Sequence, residues 1–208
     1  MKNFKFVKFS EEEKVHLLRA WAALTFAFAL VLGGGLAAIG PGLWQLMIIA
    51  GVTVGVGFLL HELGHKVVAQ KYGFWAEFRS FTWGLALAVG LSFTGFIFAA
   101  PGAVMISGAI SQKENGIISA IGPIINIVLA IVFLVAGILL NAAGLITPML
   151  AVIVSYGYFI NSWLAFFNLI PIFPFDGSKV FAWSVPVWGA LILLSGVMTF
   201  LVRGLGVF

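Results

Sequence analysis

His61-Glu62-Leu63-Gly64-His65 closes a long apolar run, Leu43 to Leu60. On a helix, residues i and i+4 share a face. His61 and His65 can therefore direct two imidazole nitrogens at one metal ion. Glu62 lies about 100° further round the helix. It does not join them easily as a ligand, but it can reach a water beside the ion. H-E-x-x-H on a helix reads as two zinc ligands and the general base of a hydrolase. The chain holds three His and seven acidic residues in 208, so chance rarely gathers two His and a Glu within five positions. Beside hydrocarbon, two imidazoles and a carboxylate are costly unless something pairs with them.

The rest of the composition puts that motif in a membrane. The chain is 62% hydrophobic and 9% charged, where a soluble domain carries about 25% charged residues. A net charge of +4 is too sparse for a nucleic-acid footprint, and no nucleic-acid partner is expected. The charges are better read through the positive-inside rule. There is no Cys, which excludes disulfides and Cys-ligated metal.

Working outward, residues 1–19 carry Lys2, Lys5, Lys8, Lys14 and Arg19 around Glu11, Glu12 and Glu13. They read as a cytoplasmic N-terminal segment. The apolar stretch that follows is too long for a signal peptide, and the acidic run is out of place in one. A single polytopic membrane domain is expected over 17–208. It is mainly α-helical, with about five transmembrane helices at 17–39, 43–69, 116–140, 149–170 and 183–202. Gly40-Pro41-Gly42 reads as a tight turn. Gly51, Gly55 and Gly57 suggest close approach of a neighbouring helix. Lys66 and Lys71 mark the cytoplasmic interface. Residues 80–112 carry no charge but are broken by Gly and Pro. Hydropathy leaves them either helix or strand.

A catalytic zinc usually takes three protein ligands and leaves a position open. His16 reads as an interfacial His. Glu77 and Glu114 flank polar turns and read as solvated. Asp176, the only Asp, follows a helix end broken by Pro171 and Pro174. It reads either as the third ligand or as an Asp-Gly turn at the interface, and spacing alone leaves both open.

Together, H-E-L-G-H at the end of one span, Gly122-Pro123-Ile124-Ile125-Asn126 in a later one, and Asn168 to Gly177 (N-x-x-P-x-x-P-x-D-G) resemble the site-2 protease family. These are intramembrane zinc metalloproteases. The resemblance covers about Leu43 to Lys179. It implies one zinc per chain on His61, His65 and Asp176, with Glu62 activating water. It also implies a substrate role for Asn168 and Asn126, and a strand-containing segment after the motif helix, over about 76–108. The substrates would be transmembrane proteins or peptides within the lipid bilayer. The chain departs from relatives in having one span after the Asp motif where some have two. No PDZ or CBS domain of the kind relatives often carry is expected within these residues.

The expected chemistry is peptide-bond hydrolysis, with an Asn amide donating to the oxyanion. Two alternatives use the same residues: a membrane metal-binding or transport protein, and a non-cleaving relative that binds helices. Only a protease needs Glu62. Topology adds one expectation. A cytoplasmic N-terminus puts His61 and His65 at the cytoplasmic end of the second span. Asp176 must then be an even number of crossings away, so residues 80–112 should be re-entrant.

Overall fold

The computed structural model describes residues 7–98 and 100–200. Lys2, Lys5, Arg203, and residues 201–202 of the last expected span lie outside them, as does position 99 of the expected re-entrant segment. The chain forms two compact units, 1–108 and 109–208.

The first unit opens with α1 (Glu11–Leu32). Its start is written in the sequence. The Ser10 hydroxyl accepts the Glu13 N–H at 3.1 Å, an N-cap. Glu11, Glu12 and Glu13 fill the first turn, where carboxylates complement the helix dipole. The acidic run is therefore a helix start. A 3-10 turn, Gly35–Ala38, follows. The Gly40-Pro41-Gly42 turn leads into one rod, Leu43–Lys71. It consists of α2 (Leu43–Ala50), a π-helical turn (Gly51–Gly55) and α3 (Val56–Lys71). The π turn is where α1 crosses. Trp21 Nε1 donates to the Gly51 carbonyl at 3.2 Å. A Cβ at Gly55 would lie 2.7 Å from the same nitrogen. Gly51 and Gly55 thus admit a neighbouring helix, as their spacing suggests.

The α3 helix stops at a Schellman motif. Gly73 has φ +90, the Phe74 N–H bonds the Ala69 carbonyl and the Gly73 N–H bonds that of Gln70. The chain then turns straight into β1 (Trp75–Ser80). It continues through α4 (Thr82–Ser92) and returns as β2 (Gly102–Ser107). The strands are antiparallel, with Phe78 opposite Val104 and Ser80 opposite Gly102. The uncharged segment is thus both strand and helix: a two-stranded sheet brackets a Leu/Ala-rich helix. Ala76, Phe78 and Ser80 are buried on one face of β1. Phe78 packs with Ala20 of α1 and Leu85 of α4.

The second unit starts with a capping box. Ser111 accepts the Glu114 N–H while the Glu114 carboxylate accepts the Ser111 N–H. This opens α5 (Gln112–Ala142). Thr147 caps α6 (Pro148–Asn168), with Pro148 in the first turn. A Cβ on Gly157 would lie 2.6 Å from the Phe133 ring, so α5 and α6 approach closely. The helix breaks after Asn168, across Pro171 and Pro174, and resumes as α7 (Asp176–Trp183). The stretch expected as a span over 183–202 forms α8 (Val185–Phe200). Tyr158 ties α6 to α8 by donating to the Met198 carbonyl at 2.6 Å.

Among the described residues, four helices are long and apolar enough to cross a membrane: Glu11–Leu32, Leu43–Lys71, Gln112–Ala142 and Pro148–Asn168. The described part of α8 is 16 residues, about 24 Å at 1.5 Å per residue. That is short of the roughly 30 Å of a bilayer core. The polarity is inverted relative to a soluble protein. Val128, Val132, Val135 and Leu139 of α5 are exposed, while Asn126, Asn161, Ser162, Ser195 and Thr199 are buried. This is a helical membrane protein with a small two-stranded sheet.

Candidate active site

In the first unit, the motif occupies the middle of α3. The His61 and His65 rings meet edge to face, with centroids 4.7 Å apart, as the i, i+4 spacing requires. Both are buried, and so is Glu62. Glu62 points to the sheet: its Oε2 accepts the Val104 N–H of β2 at 3.1 Å. The carboxylate is thereby held beside the imidazole pair and at a strand edge together.

The two edges of that sheet differ. The outer edge of β1 is covered by side chains. Gln70 Nε2 donates to the Ala76 carbonyl, Glu13 accepts the Phe78 N–H, and His16 Nδ1 accepts the Ser80 N–H. On the outer edge of β2 lies Glu62, and among the described residues the sheet has two strands.

In the second unit, Asp176 is the first residue of α7 and is buried. Lys179 Nζ lies 3.6 Å from its Oδ1. The approach of α7 to the broken segment is close. A Cβ on Gly177 would fall 2.1 Å from the Leu169 carbonyl oxygen, so the Asp-Gly pair needs its glycine. Asn126 of α5 donates to Asn161 Oδ1 of α6 at 3.0 Å, and both are fully buried. Asn168 Nδ2 donates back to the Leu164 carbonyl at 2.9 Å, inside its own helix.

The other candidates have structural partners. His16 bonds Ser80, through its hydroxyl at 2.8 Å and its N–H at 3.0 Å. Glu114 closes its capping box at the surface. Glu77 is not solvated as expected but half-buried, paired with Arg79 at 2.7 Å. Lys66, expected at the cytoplasmic interface, is fully buried, in an ion pair with Glu13. A signal for it exists, because Lys66 follows Glu62 by four residues and so shares its face. Asn161 carries no motif, and only the helix pairing reveals it.

The fold and the motif define a helical membrane protein with an H-E-x-x-H helix buried against a sheet edge. No family model matches the chain, and no solved structure does. Two curated proteins of Methanocaldococcus jannaschii are similar to it. One, named "Putative zinc metalloprotease MJ0611", is 39% identical over 184 residues, covering 87% of this chain and 89% of that protein. The other, "Zinc metalloprotease MJ0392", is 28% identical over 160 residues, 76% of this chain but 40% of that longer protein. The chain belongs to the zinc metalloprotease family that the first of these represents.

Proposed function

We propose that the chain is an intramembrane zinc metalloprotease of the site-2 type, which hydrolyses peptide bonds within or near transmembrane helices of its substrates. The observation that carries this reading is Glu62. It is buried next to a pair of facing imidazoles, on a helix apolar enough to span a membrane, with its carboxylate bonded to the edge of a strand.

His61, His65 and Asp176 would hold one zinc ion. Two imidazoles with one carboxylate are a donor set that suits zinc. Bound zinc would act as a Lewis acid and lower the pKa of water from about 15.7 to about 7. Glu62 would take the proton from the attacking water at its carboxylate and deliver it to the leaving amine. Asn168, and secondarily Asn126, would donate to the oxyanion. A primary amide has two N–H donors, and the Leu164 bond uses one of those in Asn168. Asn161 would orient the Asn126 amide.

A substrate helix hides its peptide bonds in its own hydrogen bonds, so it must unwind before cleavage. Adding the unwound segment to a sheet edge replaces those bonds. Because side chains cover the outer edge of β1, β2 is the edge for this role, and a strand added there passes Glu62.

The test is to reconstitute the protein in vesicles with single-span membrane substrates, with and without a zinc chelator, beside Glu62→Gln. Cleavage by the wild type alone, abolished by the chelator, is the expected result. Metal bound without cleavage of any substrate would favour a transport or binding role.

A further inference from the structure

Two carboxylates bracket the sheet. On the outer edge of β1, Glu13 Oε1 accepts the Phe78 N–H at 2.8 Å. On the outer edge of β2, Glu62 Oε2 accepts the Val104 N–H at 3.1 Å. Phe78 and Val104 are direct partners across the ladder. Glu13 also pairs with Lys66, and Lys66 lies one helical turn beyond Glu62 on the same face of α3. The contacts close a ring: Glu62, one turn of α3, Lys66, Glu13, Phe78, Val104, and Glu62 again. Both members of the ion pair are 0% exposed. The Phe9 ring covers Lys66, with Nζ 4.0 Å from its centroid.

A buried ion pair is poorly explained by stability, because apolar residues of similar size often serve as well or better. This pair does something that apolar residues cannot: it presents an acceptor to one backbone N–H of β1. Outward-pointing N–H groups alternate along a strand. If β1 slipped by one residue, the Phe78 N–H would leave Glu13. If the ladder slipped, Val104 would no longer offer its N–H to Glu62.

We propose that Glu13 is a positioning residue for Glu62, with Lys66 as the buried counter-charge that lets its carboxylate sit at the strand. Its bond to the Phe78 N–H fixes the ladder so that the Val104 N–H orients the Glu62 carboxylate at the strand edge. This rests on the reading of Glu62 as the general base. Neither residue touches substrate or metal in this role. Misplacing a reacting group by about 1 Å can cost on the order of 100-fold in rate, so the effect belongs in kcat.

Two double variants separate the acceptor from the charges. Glu13→Leu with Lys66→Met removes both. Glu13→Gln with Lys66→Met removes the charges but keeps an oxygen for the Phe78 N–H. Lys14→Met, which removes an exposed pair with Glu11, is the control. Each full-length protein is assayed for bound zinc, thermal midpoint and amide hydrogen exchange over residues 102–107, the last also without metal. kcat and KM are measured per zinc-loaded molecule on a quenched single-span peptide in phosphatidylcholine vesicles.

The expected result for the Leu/Met variant is retained zinc, exchange over 102–107 faster by about tenfold or more, and kcat lower by about tenfold or more with KM within about twofold. The Gln/Met variant should recover most of both losses. Wild-type exchange and kcat in the Leu/Met variant would overturn the proposal, as would a Gln/Met variant no better than Leu/Met. Loss of folded, zinc-binding protein in both doubles would also overturn it, because the pair would then serve assembly and not positioning. Glu62→Gln is run alongside. If it cleaves like the wild type, the base assignment itself fails, whereas exchange over 102–107 still reports on the sheet.

Discussion

Glu62 and the two imidazoles lie within five residues of α3; the proposed mechanism gives them different duties, and single substitutions separate these. Glu62→Gln keeps the shape and the oxygen facing the Val104 N–H but cannot take a proton. We expect it to retain zinc and to lose about 10²-fold or more in proteolysis, the usual scale of general-base catalysis. Metal analysis and a cleavage assay on one preparation check this. His61→Ala should lose the zinc itself, as should Asp176→Ala. His16→Ala should keep it, since His16 is engaged with Ser80. Undiminished zinc in His61→Ala would end the ligand assignment. At this scale the motif was legible because i, i+4 spacing is a property of any helix. The surroundings of Glu62 were not. Val104 lies 42 positions away, and no local pattern announces which N–H will meet a carboxylate.

Caps and turns are local chemistry, although only the structure showed which residues serve here. Ser10 with the acidic run, the Ser111–Glu114 box, Thr147-Pro148 and Gly73 each end or begin a helix by contacts within five residues. The break at Pro171 and Pro174 follows from proline geometry in the same way. The uncharged segment after the motif was not legible in that way, because a short apolar run suits a buried strand or a helix equally. Thr82–Ser92 became helix while its flanks paired as strands. Glycine spacing in the second span did carry tertiary information. Gly55→Ala would drive a methyl group towards Trp21 and its bond to Gly51. Overpacking of this kind costs about 1–3 kcal/mol. The expected outcome is a lower thermal midpoint in detergent with zinc stoichiometry unchanged. The same substitution at Gly34, which has nothing near its missing Cβ but a φ of +82, tests backbone strain without the clash.

For the whole molecule, we propose a cytoplasmic N-terminus and a re-entrant segment between the motif helix and α5. On the proposed ligand set, Asp176 must lie on the same side as His65. The helices Gln112–Ala142 and Pro148–Asn168, each long and apolar enough to span, would supply two crossings between them. A further crossing by residues 80–112 would put Asp176 beyond a core about 30 Å thick. The chain has no Cys, so single cysteines report cleanly. Lys113→Cys and Lys179→Cys should both resist a membrane-impermeant thiol reagent in intact cells. Labelling of Lys113→Cys from outside would show a crossing, and the zinc site would fall with it. Backbone pairing is consistent with a segment at membrane depth, where unpaired N–H groups are costly: Gln70, Glu13 and His16 satisfy groups along the outer edge of β1.

By itself the sequence determined the class of protein, the four long apolar helices and the two-His-and-Glu turn. Each depends on composition or on spacing within a few residues, which any chain with those side chains must obey. Only the tertiary structure decided how charged groups are used. Lys66 sits among residues that read as a membrane-surface flank, yet it is fully buried because Glu13, 53 positions earlier, is there to meet it. Asn161 is one polar residue in an apolar helix until Asn126 pairs with it. The physical reason is the same in both cases. A buried polar group is tolerable only with a partner, and a partner distant in sequence is chosen by packing, not by local pattern.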